Sequence, residues 1–357
     1  MDEFQKLLDR IVAPDASAGV LAQRRLDELT KPAGSLGRLE ELARRLAEIT
    51  GLCPPVVAHP VIFTLAADHG VVAEGVSAYP QIVTTQMVEN FLRGGAAINV
   101  LARHAGARVV VADLGIAVPP AAHPSLRAFR IGPGTRNMCH EPAMTRAQAR
   151  AAVEAGVALV ESERPHGLDL IGTGEMGIGN TSAASALVSV FTGAAVEDVT
   201  GPGTGLDESG RRRKIDAIER ALRVNQPDAE DALDVLAKVG GFEIAGLVGV
   251  MLAGAAHRLP VVVDGFIASA AALAAVRLAP VARYCLLASH RSAEPGHRHA
   301  LAALGLDPYL DLAMRLGEGT GAALCIDLAR AAVKILTEMA TFKSAGVSTS
   351  PRESSGA

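Results

Sequence analysis

Along the first 50 residues the apolar positions recur with helical spacing. Leu36, Leu39, Leu42, Ala43, Leu46 and Ile49 fall at three- and four-residue steps, and Glu40–Arg44 and Glu41–Arg45 stand four apart as supporting pairs. Gly51 predicts the stop of that helix. Beyond it the pattern changes to short apolar runs separated by long helical stretches: Val61–Ala66, Val109–Ala112, Leu168–Ile171, Pro260–Val263 and Cys285–Ala288. Runs of this length, apolar on both faces and spaced by helices, predict an α/β fold with a parallel sheet covered on both sides. A last long helix is expected from about Thr320 to Thr341, followed by a Ser-rich tail, 343–357, expected to be disordered. The division expected is a small helical domain built from both termini, 1–55 plus 318–342, beside an α/β domain over 56–317.

Composition narrows the class. Of 357 residues 49% are hydrophobic but only 3% aromatic, with no Trp, so the core must be built from Ala, Leu, Val and Ile. Thirty-six glycines are too many for a helical bundle and suit repeated strand-to-helix turns. A net charge of −4 gives no electrostatic reason to expect nucleic acid. The uncharged stretch 181–196 is too short and polar to span a bilayer, and the charged N-terminus lacks an apolar signal region, which predicts a cytoplasmic protein without membrane partners. Cys53, Cys139, Cys285 and Cys325 are far apart, without metal or disulfide spacing. His297 and His299, two apart, do not share a helical face, so no metal site is expected.

The apolar runs lead into Asp68-His69-Gly70, Asp113-Leu114-Gly115, Gly172-Thr173-Gly174-Glu175, Asp264-Gly265 and Ser289-His290. Polar groups with glycine at the carboxyl ends of parallel strands are where open α/β sheets bind ligands. The loop from Gly172 to Ser182 follows a strand and opens an Ala-rich helix, whose N–H groups and dipole make an anion site. A second Gly-rich turn, Gly201-Pro202-Gly203-Thr204-Gly205, precedes Arg211-Arg212-Arg213-Lys214, where Lys214 is expected at a helix start, either neutralising a phosphate or on a solvated basic face. Gly172-x-Gly174-x-x-Gly177 also fits a dinucleotide fingerprint. A nicotinamide-dependent oxidoreductase is therefore an alternative, against which stand Glu175, placed to repel a pyrophosphate, and the lack of a second strand before Glu197-Asp198. Glu318 is a lone carboxylate among glycines between apolar stretches. It is either a carboxylate favoured at a helix start or a group of raised pKa able to accept a proton near neutral pH.

The segments AADHGVVAEGVSAYP, GTGEMGIGNTS, KVGGFEIAGLVGVMLAGA, LPVVVDGF, SHRSAEPG and AMRLGEGTGAAL, in this order, resemble the nicotinate-nucleotide–dimethylbenzimidazole phosphoribosyltransferases over about 29–340. The resemblance implies a Rossmann-like sheet domain, the small helical domain and a homodimer. It implies an enzyme that joins the phosphoribosyl group of nicotinate mononucleotide to 5,6-dimethylbenzimidazole or a related base for cobalamin. Glu318 becomes the catalytic base by that likeness. Glu175, Gly177, Gly179, Asn180, Thr181, Gly203, Lys214, Asp264, Gly265 and Ser292 become nucleotide-site residues. Tyr79, Met87, Met176, Met314 and Leu316 become the base pocket, with Tyr79 and Met87 standing where relatives carry Ser and Gln. No metal or redox cofactor is needed, because nicotinate leaves as a neutral ring nitrogen. A nucleotide-binding protein without turnover is the other alternative.

Overall fold

The computed structural model describes residues 2–348. It divides into two compact units, one of His59–Ile326 with the N-terminal segment through Ala13, the other of Pro14–Ala58 with the chain from Asp327 on.

The larger unit is a six-stranded parallel sheet, β1 (Pro60–Ala67), β2 (Arg108–Gly115), β3 (Leu126–Ala128), β4 (Leu170–Met176), β5 (Val261–Val263) and β6 (Leu286–Ala288), in the order β3-β2-β1-β4-β5-β6. The chain order reverses between β1 and β4, the kind of place where α/β sheets open a ligand crevice. All eight residues of β1 are buried, which explains its unbroken apolar reading. The five expected runs all became strands. β3 was not foreseen, because its three residues are half-buried or exposed and carry no apolar run.

Few aromatic residues are needed because the covering helices approach closely. The helices Arg146–Glu163 and Phe242–Ala256 pack through glycine: a Cβ on Gly249 would sit 1.8 Å from the Val153 carbonyl oxygen. Small side chains let backbones touch, and the area of contact replaces the bulk of large residues.

The smaller unit contains the helices Ala16–Asp27 and Arg38–Thr50. The second ends at Gly51, whose φ of 70° makes the left-handed cap expected of glycine there. An ion pair of Lys31 with Glu40 at 2.8 Å is buried in this unit, and Arg25 Nη2 donates to the Met339 carbonyl at 3.1 Å.

Two expected boundaries need correction. The segment through Ala13 belongs with the sheet, not with the helical unit, because Leu7 is buried and Arg10 reaches the His257 ring at 3.1 Å. The last long helix is Thr320–Glu338, and the expected tail is not unstructured from Lys343: Thr341 caps a short helix, Phe342–Ala345, accepting from the Ser344 N–H at 3.0 Å. The rest of that tail, 349–357, lies outside the described residues. Among the described residues no helix is long and apolar enough to cross a membrane.

Candidate active site

A cavity of about 520 Å³ opens at the carboxyl ends of β4, β5 and β6. Glu175 and Met176 close β4, Asp264 and Gly265 follow β5, and His290 and Ser292 follow β6; all line the cavity. The Gly317-Glu318 turn forms another part of the wall.

Glu318 is 5% exposed and holds a φ of 64°, a left-handed conformation rare outside glycine. Such strain persists only where neighbours fix it. Its carbonyl oxygen accepts from Thr64 Oγ1 on β1 at 3.0 Å, and its Oε2 accepts from the Ile98 N–H at 3.3 Å. The turn lies against β4 so closely that a Cβ on Gly174 would be 2.3 Å from the Glu318 carbonyl oxygen. Burial raises the pKa of the Glu318 carboxyl, the nearby Asp264 charge adds to the rise, and the Ile98 N–H opposes it. The chemical result is a carboxylate more basic than an exposed glutamate. Glu175 is pushed further, to about 8, by burial and then by Glu243, Asp264 and Glu318, although Asn180 Nδ2 donates to its Oε2.

Asp264, expected among the nucleotide contacts, lines the cavity and also accepts from backbone. Its Oδ1 accepts from the N–H groups of Gly321 at 2.8 Å and Ala322 at 3.2 Å, and its Oδ2 from Gly319 at 3.1 Å. His290 Nε2 stands 3.6 Å from Oδ1.

The expected anion loop is placed in part. Gly179, with a φ of 93°, caps the helix Asn180–Thr192, and Gly177, Asn180 and Thr181 at that helix start line the cavity. Gly179 itself does not line it; its part is the turn. Gly172 and Gly174, expected in this loop, lie inside β4. There they admit the Ala322 side chain and the Glu318 turn rather than a pyrophosphate, so they are not the turn glycines of a dinucleotide fingerprint. Gly203 and Thr204 line the cavity from the second Gly-rich turn.

Lys214 is neither at a helix start nor on a solvated face. It is the seventh residue of the helix Glu208–Asn225 and has no exposed surface. Its Nζ donates to Thr181 Oγ1 at 2.8 Å and to the Gly201 carbonyl at 3.4 Å, so it backs the anion loop from beneath the cavity wall. Burial lowers its pKa to about 8. The helical spacing of Ile215, Ile218 and Ala221 around it was the signal that this lysine faces inward.

Of the expected base-pocket residues, Tyr79, Met87, Met176 and Leu316 line the cavity, and Tyr79 and Leu316 remain more than half exposed. Met314 does not line it. The chain there is engaged with the loop after β6, the Met314 carbonyl accepting from the Ala293 N–H at 3.0 Å.

Other lining residues escaped the reading of the sequence. Arg315 Nη1 donates to the Gly203 carbonyl at 2.8 Å, and the Ala78 N–H donates to Thr204 Oγ1 at 3.0 Å, so three segments are tied together at the cavity. Glu294 also lines it, buried, and both its carboxylate oxygens lack a hydrogen-bond partner among the described residues. A buried pair, His69 Nε2 with Glu243 Oε1 at 2.6 Å, lies directly behind Gly177. Only their presence in the segments DHG, GGFEIAG and SHRSAEPG singled these residues out. His297, considered for metal, has both ring nitrogens occupied by the Ser292 N–H and Ser269 Oγ, and burial holds it neutral with its pKa lowered to about 3. Among the described residues no three His, Cys, Asp or Glu side chains group as a metal site.

Comparison with known proteins agrees with this architecture. A family profile described as phosphoribosyltransferase matches residues 11–347. The chain is 56% identical over 348 residues to the nicotinate-nucleotide–dimethylbenzimidazole phosphoribosyltransferase of Chloroflexus aurantiacus, covering 98% of this chain and 99% of that protein. A protein of the same name from Desulforudis audaxviator is similar to the same extent, 56% with the same coverage. The crystal structure of the phosphoribosyltransferase of that name from Thermus thermophilus superposes with a TM-score of 0.89 at 48% identity, over 94% of this chain and all of that one. With matches of this length and identity, the chain belongs to the nicotinate-nucleotide–dimethylbenzimidazole phosphoribosyltransferase family.

Proposed function

We propose that the protein transfers the phosphoribosyl group of nicotinate mononucleotide to 5,6-dimethylbenzimidazole or a related base, releasing nicotinate and forming α-ribazole 5′-phosphate for cobalamin. The observation that carries this reading is one cavity that joins a helix-start anion site, backed by Lys214, to a buried carboxylate of raised pKa, Glu318. A phosphate fits the first and a proton-donating azole the second.

The glycosidic bond to a pyridinium nitrogen is already activated, so the C1′–N bond breaks as nicotinate departs with the electron pair. C1′ becomes oxocarbenium-like, and the imidazole nitrogen of the incoming base attacks from the opposite face, which inverts β to α. The proton on the second imidazole nitrogen passes to Glu318. Holding both substrates in line can supply roughly 7–11 kcal/mol, and a positioned base roughly 10²–10⁴-fold. The Asp264 carboxylate adds negative potential at Glu318, which favours a positive C1′ as well as a basic Glu318. Met87, Met176, Leu316 and Tyr79 offer the planar base an apolar wall.

The reading includes a cytoplasmic homodimer; the exposed apolar side chains of Tyr79 and Leu316 at the cavity support a second copy closing over it. The test is incubation with nicotinate mononucleotide and 5,6-dimethylbenzimidazole, with products separated by chromatography and identified by mass. Equimolar α-ribazole phosphate and nicotinate are expected. Nucleotide binding without either product would overturn the enzymatic reading and leave a nucleotide-binding protein.

A further inference from the structure

We propose that Asp264 is a positioning residue for Glu318, holding the turn that presents this carboxylate, and not a contact of the nucleotide. The inference rests on the reading of Glu318 as the base.

Three successive residues of the turn, Gly317, Glu318 and Gly319, have φ values of 84°, 64° and 98°. Two can adopt this geometry as glycines; Glu318 adopts it against its Cβ. The left-handed run directs the N–H groups of Gly319, Gly321 and Ala322 toward one point, and the Asp264 carboxylate fills it with three hydrogen bonds of 2.8 to 3.2 Å. Converging N–H groups of this kind form a nest for an anion. Here the anion is a side chain of the protein, and its bonds are charge-assisted. Asp264 is itself fixed to the sheet: its N–H donates to Thr173 Oγ1 on β4 at 3.0 Å. Thr64 of β1 grips the Glu318 carbonyl. The strained turn is thus registered to two central strands, by a hydroxyl on one side and the Asp264 carboxylate on the other.

Both oxygens of Asp264 already accept from the turn, Oδ1 twice and Oδ2 once, so a substrate hydroxyl would find at most one acceptor position, on Oδ2. The charged or titratable neighbours facing Asp264 and Glu318 are Glu175 on β4 and His290 after β6. The first five residues of the helices Phe266–Leu278, Thr320–Glu338 and Ala97–His104 contribute none.

The experiment compares Asp264→Asn, Glu318→Gln and the double variant in the full chain, with steady-state kinetics for nicotinate mononucleotide and dimethylbenzimidazole. Asn keeps one acceptor but sets an N–H₂ against an N–H of the turn. Asp264→Asn should lower kcat at least about 30-fold with the KM for the nucleotide within about threefold. The acid limb of its residual kcat–pH profile should move to lower pH, because a negative neighbour of Glu318 has gone. In the Glu318→Gln background the same change should cost less than about threefold more, since residues acting as a unit are not additive. A rise of more than about tenfold in nucleotide KM with kcat retained would make Asp264 a ligand and overturn the proposal, as would fully additive losses. If Asp264→Asn does not fold, Asp264→Ser, which keeps one oxygen acceptor, must show the same pattern. Full turnover by Glu318→Gln would remove the base itself and the inference with it. An inactive Glu318→Gln beside an unperturbed Asp264→Asn would overturn the inference alone.

Discussion

Replacing Lys214 by Met should make the substrate-free protein more stable and the enzyme worse. The Lys214 ammonium has no exposed surface, and its two hydrogen bonds go to neutral oxygens. Glu294, the acidic group whose charge favours the ammonium, keeps both oxygens unpartnered among the described residues. A pKa lowered from 10.5 to about 8 corresponds to a cost of about 3 kcal/mol for carrying the charge in the folded state. Met removes that cost but also removes the bonds to Thr181 Oγ1 and the Gly201 carbonyl, each worth about 1 kcal/mol. A net gain of about 1 kcal/mol remains, or about 1–2 °C in Tm for a chain of this length. The pH dependence has a definite sign. Below pH 8 both states hold the proton and the full cost is present; between about 8 and 10.5 the unfolded chain holds it more tightly, so wild-type stability rises with pH and that of the variant lacks this contribution. A bound phosphate would change the balance by giving the ammonium its missing partner. Loss of a charge-assisted hydrogen bond worth about 1.5–3 kcal/mol should raise the KM for nicotinate mononucleotide about 10- to 150-fold, with the KM for the base little changed. Thermal unfolding with and without the nucleotide, beside steady-state kinetics at pH 7, reads every part of this. A variant that melts several degrees below wild type while keeping its nucleotide KM would refute the reasoning, because Lys214 would then be a structural donor and no more.

Glu318→Gln should retain fold and substrate binding and lower turnover at least about a hundredfold; near wild-type kcat at saturating substrates would exclude it as the base. Because burial raises the Glu318 pKa and the ionised form is the one that accepts a proton, wild-type kcat should fall with decreasing pH through a value above the ordinary 4.5, and an acid limb at or below 4.5 would contradict this. Gly174→Ala puts a Cβ 2.3 Å from the Glu318 carbonyl oxygen; an overpacking cost of about 1–3 kcal/mol and a kcat loss of more than about tenfold are expected, and wild-type melting and turnover would show that the turn is free to move. Removing one or two methyl groups from the benzimidazole should cost about 1–3 kcal/mol in discrimination, since Met87, Met176 and Leu316 offer adaptable apolar contact; competition assays giving more than about 10⁴-fold would require a polar readout instead.

The sheet was legible because β1, β4, β5 and β6 are buried on both faces, which leaves an apolar run in the sequence, whereas β3 has no such face and left none. Glu318 was legible as an isolated carboxylate among glycines. The role of those glycines was not: Gly172 and Gly174 read as a phosphate loop, but their missing side chains are required by the turn that packs on β4. Sequence spacing records that a side chain is absent, not which partner fills the space. Lys214 was placed in the site for its charge, and charge alone does not say whether a group faces the cavity or backs its wall. The pairing of His69 with Glu243, 174 residues apart, and the reach of Arg315 to Gly203 depend on which loops the topology brings together, and no local pattern encodes them.

The distribution of buried charge explains why groups behind the cavity wall matter to it. Glu243, Asp264 and Glu318 all raise the pKa of Glu175, and Asp264 raises that of Glu318, an arrangement that costs stability and that a purely structural core would avoid. Each carboxylate is restrained differently: Glu243 against His69, Asp264 by three backbone N–H groups, Glu175 by Asn180, and Glu318 by a single N–H from Ile98. Hydrogen bonds to the ionised form lower basicity, so a lightly held carboxylate is left more able to take up a proton from a ligand. Burial and its acidic neighbours push Glu175 further, to about 8, so it holds its own proton more tightly and is the less available acceptor. Glu318 combines a raised pKa with one long hydrogen bond, and on the proposed reaction that combination selects it over its neighbour as the group that receives the azole proton.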